Sequence, residues 1–169
     1  MKFRVFDNYI KQDNFNALQE LLLSDKIAWY HQENMTVNDN SFMSHGFFHE
    51  NAIQSNFYVP GIVPILEQMK IDAVINIRAN LTYSYKKVVK SQWHCDVSGG
   101  EQALTSILYI NDNNGYTEFI TGEKVQAKAN RMVVFPSTLE HRMLGASDIP
   151  NRIVINFNFY SLYLYNLMR

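Results

Sequence analysis

Hydrophobic and polar positions change rhythm along this chain near residue 71. Ahead of that point Phe15, Leu18, Leu21 and Leu22 recur at helical spacing and predict a helix capped by Asp13 or Asn14 and running to about Ser24. A short strand is expected before it, over residues 3–6. Pro60-Gly61 punctuates the chain, and residues 62–70 predict a second, short helix with Pro64 in its first turn. Between the helices, residues 31–59 mix Asn and Ser with aromatics and predict loops and short strands. The aromatic stretch 42–58 is a candidate lid.

From Ile71 the pattern turns to alternation or to short continuous apolar blocks. Strands are expected over 73–77, 87–97, 105–110, 117–120, 124–127, 131–135, 141–144 and 152–160. Turn residues separate them, such as Ser98-Gly99-Gly100, Asn111 to Gly115, Thr121-Gly122-Glu123, Pro136-Ser137 and Asp148-Ile149-Pro150. That many short strands predict a mainly β fold, a closed or sandwiched antiparallel sheet of jelly-roll type. The N-terminal helices would pack on its outer sheet face. The expected organisation is one domain, 1–169: a helical and loop layer over 1–70, a β core over 71–160 and a tail over 161–169. Alternation in the tail, Tyr160-Ser161-Leu162-Tyr163-Leu164-Tyr165, predicts a terminal strand or apolar edge that could pack on the chain's own core or on a second copy of the chain.

Composition narrows the function. The chain has 169 residues, enough for one good core, and is rich in Tyr and Phe. A net charge of −1 gives no global footprint for nucleic acid. The small cluster Lys86-Lys87-x-x-Lys90 reads as a solvated hairpin edge, which argues against a nucleic-acid base as substrate. A single Cys excludes an internal disulfide and fits a reducing compartment. The N-terminal residues hold no apolar run long enough for a signal peptide or a membrane span, so a soluble, cytoplasmic protein is expected.

The candidate chemistry sits at Trp93-His94-Cys95-Asp96. On a strand, His94 and Asp96 point to one face and Cys95 to the other, where it would be a small buried hydrophobe. His141 is the third candidate ligand. Two His and one carboxylate can cap one face of a non-haem iron and leave positions open for substrate and oxygen. With five His in the chain, His-x-Asp says little by itself; its place before a Gly-Gly turn, at the mouth of a barrel, says more. His31, His45 and His49 read as surface or pocket-rim histidines. In the last strand, Ile153, Ile155, Phe157 and Phe159 share one face, and Arg152, Val154, Asn156, Asn158 and Tyr160 share the other. That second face either meets water or looks into a polar lumen, where Arg152 could grip a carboxylate bidentately.

The ordered set His94-x-Asp96, Leu108-Tyr109-Ile110-Asn111, Gly115-Tyr116-Thr117-Glu118-Phe119, Phe135-Pro136, His141 and Arg152 resembles the iron(II)- and 2-oxoglutarate-dependent oxygenases. It is most similar to their prolyl 4-hydroxylase-like branch, including small single-domain phage and bacterial members. The resemblance covers roughly residues 73–160 and implies a double-stranded β-helix, a cupin-like jelly roll. It implies Fe(II), 2-oxoglutarate and O2 as cofactor and cosubstrates, and hydroxylation of a C–H bond with release of succinate and CO2. His94, Asp96 and His141 would hold the iron, and Arg152 the distal carboxylate of 2-oxoglutarate. Tyr109 would hydrogen-bond the same carboxylate, and Ile107 and Thr117 would line the pocket. Tyr83 or Tyr85 would add a hydroxyl, Asn80 would face the site, and Asn156 and Asn158 would make the lumen polar. Two departures stand out. Asn114-Gly115-Tyr116-Thr117 replaces the commoner Gly-Gly before Glu-Thr, and Arg152 stands where collagen-type members often carry Lys.

The substrate class stays open between a protein, a peptide and a small molecule, because such contacts come from variable loops. The non-enzymatic alternative is a cupin-like barrel that binds a metal or a small carboxylate without turnover.

Overall fold

A computed structural model describes residues 3–32, 42–84, 88–96 and 100–168. The elements in order are β1 (Arg4–Phe6), α1 (Gln12–Leu23), β2 (Tyr30–Gln32), β3 (Phe42–His49), β4 (Ala52–Ile53), a π-helical turn (Tyr58–Ile62) and α2 (Val63–Met69). Then follow β5 (Ala73–Tyr83), β6 (Leu104–Tyr109), β7 (Tyr116–Phe119), β8 (Lys124–Gln126), β9 (Arg131–Pro136), β10 (His141–Leu144), β11 (Asn151–Tyr160) and α3 (Leu162–Met168). The larger sheet runs β1-β9-β6-β11-β5-β3-β2, with β4 added beside β3; the smaller runs β10-β7-β8. All pairings are antiparallel.

β11 organises the larger sheet because it pairs along its length with β5 and β6. Its apolar face, Ile153, Ile155, Phe157 and Phe159, packs with Phe15, Leu18 and Leu22 of α1, Ile65 and Met69 of α2, and Leu164 and Met168 of α3. Each large apolar side chain so buried contributes about 1.5–3 kcal/mol relative to exposure. The helices therefore cover the outer face, as the apolar stripe of α1 predicts. The opposite face of β11 is also buried, apart from its ends. Of the two readings left open for that face, the lumen is the one realised.

Several local expectations are corrected. α1 begins at Gln12, after Lys11, without a side-chain cap; Asp13 lies in its first turn, where a carboxylate favours the helix dipole. Within the stretch expected to hold loops and short strands, residues 42–49 are a strand, and its first residue Phe42 lines the cavity described below. This strand, β3, is paired with β5 from Met43↔Leu81 to Phe48↔Ile77, so the larger sheet reaches into the expected helical layer. β5 continues six residues past the expected end, to Tyr83. Of the strand expected over 87–97, the described part makes two isolated bridges, Lys90↔Leu144 and His94↔His141, on the free edge of β10. The tail is the helix α3, whose Leu164 and Met168 sit in the chain's own core, rather than an edge strand. Lys86 and Lys87 lie outside the described residues. No helix among the described residues is long and apolar enough to cross a membrane.

Candidate active site

The register of the larger sheet sets out the lumen in rungs. Arg152 lies opposite Thr82, Val154 between Asn80 and Tyr109, and Asn156 between Arg78 and Ile107. Alternate residues share a face, so β5 presents Arg78, Asn80 and Thr82 to the same side as Arg152, Val154 and Asn156. The smaller sheet closes over them with Thr117 and Met143. The result is a cavity of about 200 Å³ whose lining includes these residues, Ile107, Tyr83 and the three candidate ligands.

His94 and His141 are held side by side by a reciprocal pair of backbone hydrogen bonds, each 3.0 Å. This fixes where both rings start, and their centroids stand 4.6 Å apart. His94 Nδ1 donates to the Gln92 carbonyl at 3.0 Å, and His141 Nδ1 to the Leu139 carbonyl at 3.1 Å. Each ring thus keeps its Nε2 lone pair free. Both Nε2 atoms turn to the Asp96 carboxylate, at 3.7 Å and 3.6 Å. One donor atom from each residue falls within 4.8 Å of the others. Asp96 Oδ2 is buried and has no hydrogen-bond partner. A buried carboxylate oxygen without a donor, facing two imidazole lone pairs, is a set of acceptors without a cation. That set fits a divalent metal held by three ligands with open positions on the cavity side.

His141 is bracketed by Phe135, with ring centroids at 4.7 Å, and Phe119, at 6.3 Å. Burial pushes its pKa down, against a smaller upward pull from Asp96. The neutral form that a metal requires is therefore the favoured one. Cys95, expected on the far side of the strand from the ligands, is among the residues that line the cavity. It is exposed, and its thiol donates to the Thr138 carbonyl at 3.3 Å, so it is no buried hydrophobe.

Arg152 is 3% exposed, and its Nε has no hydrogen-bond partner. No carboxylate among the described residues pairs with it. Burial lowers its pKa, with the Tyr109 hydroxyl as a smaller opposing influence. An arginine remains charged throughout the working pH range, so the site holds a desolvated cation that wants an anion. Asn111 sets its position: its side chain donates to the Asn151 carbonyl and accepts from the Ile153 N–H, clasping the start of β11 from both sides of Arg152.

Tyr109 departs from expectation. It is fully buried, and its hydroxyl lies 2.7 Å from Thr117 Oγ1 and 3.3 Å from the Val125 carbonyl. Its ring lies beneath the Arg152 guanidinium, 5.5 Å from centroid to Cζ. The tyrosine supports the arginine and Thr117 from behind instead of opening to the cavity. Ile107, Thr117, Asn80 and Asn156 line the cavity. Asn158 turns away into a hydrogen bond with Thr105 Oγ1. Tyr83 stands at the rim, half exposed, and Tyr85 lies outside the described residues. His31 and His49 are exposed, whereas His45 is buried and spans from the Ala28 carbonyl to Ser55 Oγ, tying β3 to its neighbours. Sequence reasoning missed Arg78, Ser91 and Met143 in the lining. The period-two run Arg78, Asn80, Thr82 was the available signal for the first of these.

Residues 81–160 match the family described as the 2OG-Fe(II) oxygenase superfamily. A comparison with curated proteins finds no match. Among solved structures, the chain is similar to a prolyl hydroxylase from Trichoplax adhaerens in complex with a hypoxia inducible factor oxygen degradation domain peptide fragment, with TM-score 0.71, 12% identity and coverage of 99% of this chain and 87% of that one. It is also similar to a Pseudomonas putida prolyl-4-hydroxylase, with TM-score 0.61, 15% identity and coverage of 94% and 91%. A third likeness is the non-heme alpha ketoglutarate dependent epimerase SnoN from nogalamycin biosynthesis, with TM-score 0.66, 11% identity and coverage of 94% and 76%. At these identities the likenesses carry the fold, a double-stranded β-helix.

Proposed function

We propose that the chain is an iron(II)- and 2-oxoglutarate-dependent dioxygenase, as the match of residues 81–160 to the 2OG-Fe(II) oxygenase superfamily supports, and that His94, Asp96, His141 and Arg152 are the residues that hold its metal and cosubstrate. The observation that carries this assignment is a pairing within one cavity. Three acceptor groups converge without a cation, and a buried arginine stands without an anion. Iron(II) and a dicarboxylate would satisfy both deficits together.

Bound iron supplies the oxygen chemistry by which a substrate C–H bond becomes C–OH while 2-oxoglutarate and O2 yield succinate and CO2. The protein's part is placement. His94 and His141 offer Nε2, and their Nδ1–H bonds to backbone hold each ring in the ligating tautomer. Asp96 offsets part of the metal charge. Arg152 would hold the distal carboxylate in a charge-assisted pair and so position the ketoacid. Ile107 and Thr117 line the cavity and would bound the space open to the ketoacid, and Asn156 adds a polar group on the larger sheet. Phe119 and Phe135 exclude water from behind His141.

One similar fold is bound to a peptide fragment, and the SnoN epimerase to nogalamycin RO. The substrate class proposed is accordingly a peptide, a protein segment or a small molecule reaching the cavity from the rim at Tyr83. A second copy of the chain has weaker support, in Leu162, Tyr163 and Leu167 left exposed on α3; sedimentation tests it. A reducing, cytoplasmic location fits a chain whose single Cys allows no internal disulfide.

The deciding experiment is an anaerobic titration of the apo-protein with iron(II) and then 2-oxoglutarate, reading the visible charge-transfer band of a chelated ketoacid. The band should require both additions, vanish in His141→Ala and weaken in Arg152→Ala. Tight metal binding with no band would move the assignment to a cupin-like barrel without turnover. Absence of metal binding would reject the ligand set.

A further inference from the structure

Arg152 is not the sole arginine in the cavity. Arg78, on β5, also lines it. Its Nε is buried without a hydrogen-bond partner, and among the described residues its guanidinium makes no hydrogen bond or ion pair. It is half-buried, where an ordinary surface arginine would have turned out to water. Its neighbours share the deficit. Asn156 lies directly opposite Arg78 in the sheet and Asn80 two residues along β5, and the Oδ1 of each is buried without a partner. Three adjacent polar side chains on one wall therefore face a space that fills none of their bonds. Native interiors rarely leave such groups orphaned unless a ligand completes them.

The ketoacid does not complete them. Arg152 pairs with Thr82 and Arg78 with Asn156, so four residues of strand separate the arginines. Their backbone positions are about 13 Å apart at a rise of roughly 3.3 Å per residue. An extended five-carbon chain is about 5 Å between its terminal carbons, from bonds of roughly 1.5 Å. With its distal end on Arg152 and its keto end toward the triad, it has no carboxylate left for Arg78.

Charge leads to the same place. The described lining holds one carboxylate, Asp96, against two arginines. A metal dication and a dicarboxylate cancel one another and leave a single positive charge over. We propose that Arg78 is the substrate-anchoring residue, a second anion-binding position that selects substrates carrying a carboxylate, with Asn80 and Asn156 hydrogen-bonding the groups beside that carboxylate. The inference rests on the reading of the site as an oxygenase and deepens it: the substrate is acidic. A free acid and an acidic peptide share that chemistry.

The test uses the full chain loaded with zinc(II) in place of iron and saturated with 2-oxoglutarate, so that Arg152 is occupied and no turnover occurs. The probes are benzoate and its neutral counterpart benzamide. The readout is the side-chain Nε–H resonance of Arg78, identified by its loss in Arg78→Gln. Benzoate should shift this resonance saturably and benzamide should not. Benzoate affinity should fall at least tenfold in Arg78→Gln and partly recover in Arg78→Lys, with the melting temperature unchanged. The ketoacid charge-transfer band of the iron-loaded Arg78→Gln protein should match wild type. A further arm measures succinate release with pools of free acids, acidic peptides and their amides. Stimulation by acids alone or by acidic peptides names the source of the carboxylate.

Equal benzoate affinity in wild type and Arg78→Gln would overturn the proposal. So would an Arg78 resonance that benzoate does not move, or a loss of the ketoacid band in Arg78→Gln equal to that in Arg152→Ala. Failure of the oxygenase reading is a separate result: no band forms in wild type. The benzoate titration of unloaded protein would then still read Arg78 through its own resonance.

Discussion

The Arg152 guanidinium stands 5.5 Å from the centre of the Tyr109 ring, and that aromatic face replaces the carboxylate partner a buried arginine ordinarily has. A ring quadrupole offsets only part of the desolvation of such a cation, on the order of 1–2 kcal/mol. The remainder is available to a bound anion. Arg152→Met should therefore act in opposite directions on stability and binding. The apo-protein should melt no lower than wild type, since a buried unpaired charge is removed at similar volume. Affinity for 2-oxoglutarate should drop by roughly 2–5 kcal/mol, about 30-fold to several thousand-fold. Calorimetric titration beside thermal melts checks both halves. A destabilised protein with unchanged ketoacid affinity would make Arg152 a structural residue.

Tyr109 separates a support from a ligand. With its hydroxyl committed to Thr117 and the Val125 carbonyl, it has no bond to offer the ketoacid. Tyr109→Phe should cost about 1 kcal/mol of stability, the net worth of a buried hydrogen bond, and lower the melting temperature by about 2–4 °C. Ketoacid affinity should stay near wild type. The reverse pattern, full stability with a large loss of affinity, would restore the role that resemblance alone gives this tyrosine.

How far the site was legible in the sequence depends on which side of the sheet a residue serves. β11 was readable because its outward face is continuously apolar, so the inward set Arg152, Val154 and Asn156 emerged by alternation. β5 was cut short at Ile77 because Arg78, Asn80 and Thr82 interrupt the apolar pattern. Their polarity belongs to a lumen, which a pattern rule reads as the end of a strand. The His94–Asp96 pair was legible as a spacing, yet its partner segment is no regular strand, and two bridges to β10 hold it. Which way the Tyr109 hydroxyl points was not legible, since Thr117 on β7 and Val125 on β8 decide it. The tail deceived for a different reason. Leu162 and Leu164 alternate, but Leu164 and Met168 are one helical turn apart and both face the core, which outweighs the local pattern.

The minor sheet should carry an acid-sensitive clasp. Arg142 on β10 donates from Nε to Glu118 on β7 at 2.7 Å and lays its guanidinium over the Trp93 ring at 4.2 Å, next to His94. The Arg142 hydrogen bond holds the Glu118 carboxyl below the usual carboxylate range, with Lys124 adding to it. A carboxylate whose pKa is lowered on folding contributes stability above its unfolded pKa. That contribution fades as pH falls through the folded value, because the unfolded chain takes up the proton first. Wild type should therefore lose melting temperature on acidification below the ordinary Glu range, and Arg142→Met should lose less over the same interval. Parallel slopes in the two proteins would place the acid sensitivity elsewhere.

Gly115 leaves no room for a side chain beside Arg152, the residue proposed to hold the cosubstrate. A Cβ at this position would lie 2.8 Å from Asn113 Oδ1, 2.9 Å from the Leu144 carbonyl and 3.1 Å from Arg152 Cδ. The carbonyl belongs to the last residue of β10 and cannot withdraw without pulling the strand that begins at His141. The arginine side chain is the softer neighbour and should be the one displaced. Gly115→Ala should cost about 1–3 kcal/mol by overpacking and, through the shifted guanidinium, also weaken 2-oxoglutarate binding. Gly122 supplies the contrast. It sits at φ +95 with nothing within 4 Å of a Cβ, so Gly122→Ala should strain the backbone of its turn and leave ketoacid affinity alone. Thermal melts of both variants beside ketoacid titrations separate the two kinds of cost. Equal affinities in the two variants would mean that Arg152 reaches its anion without help from the shape of the 113–115 turn.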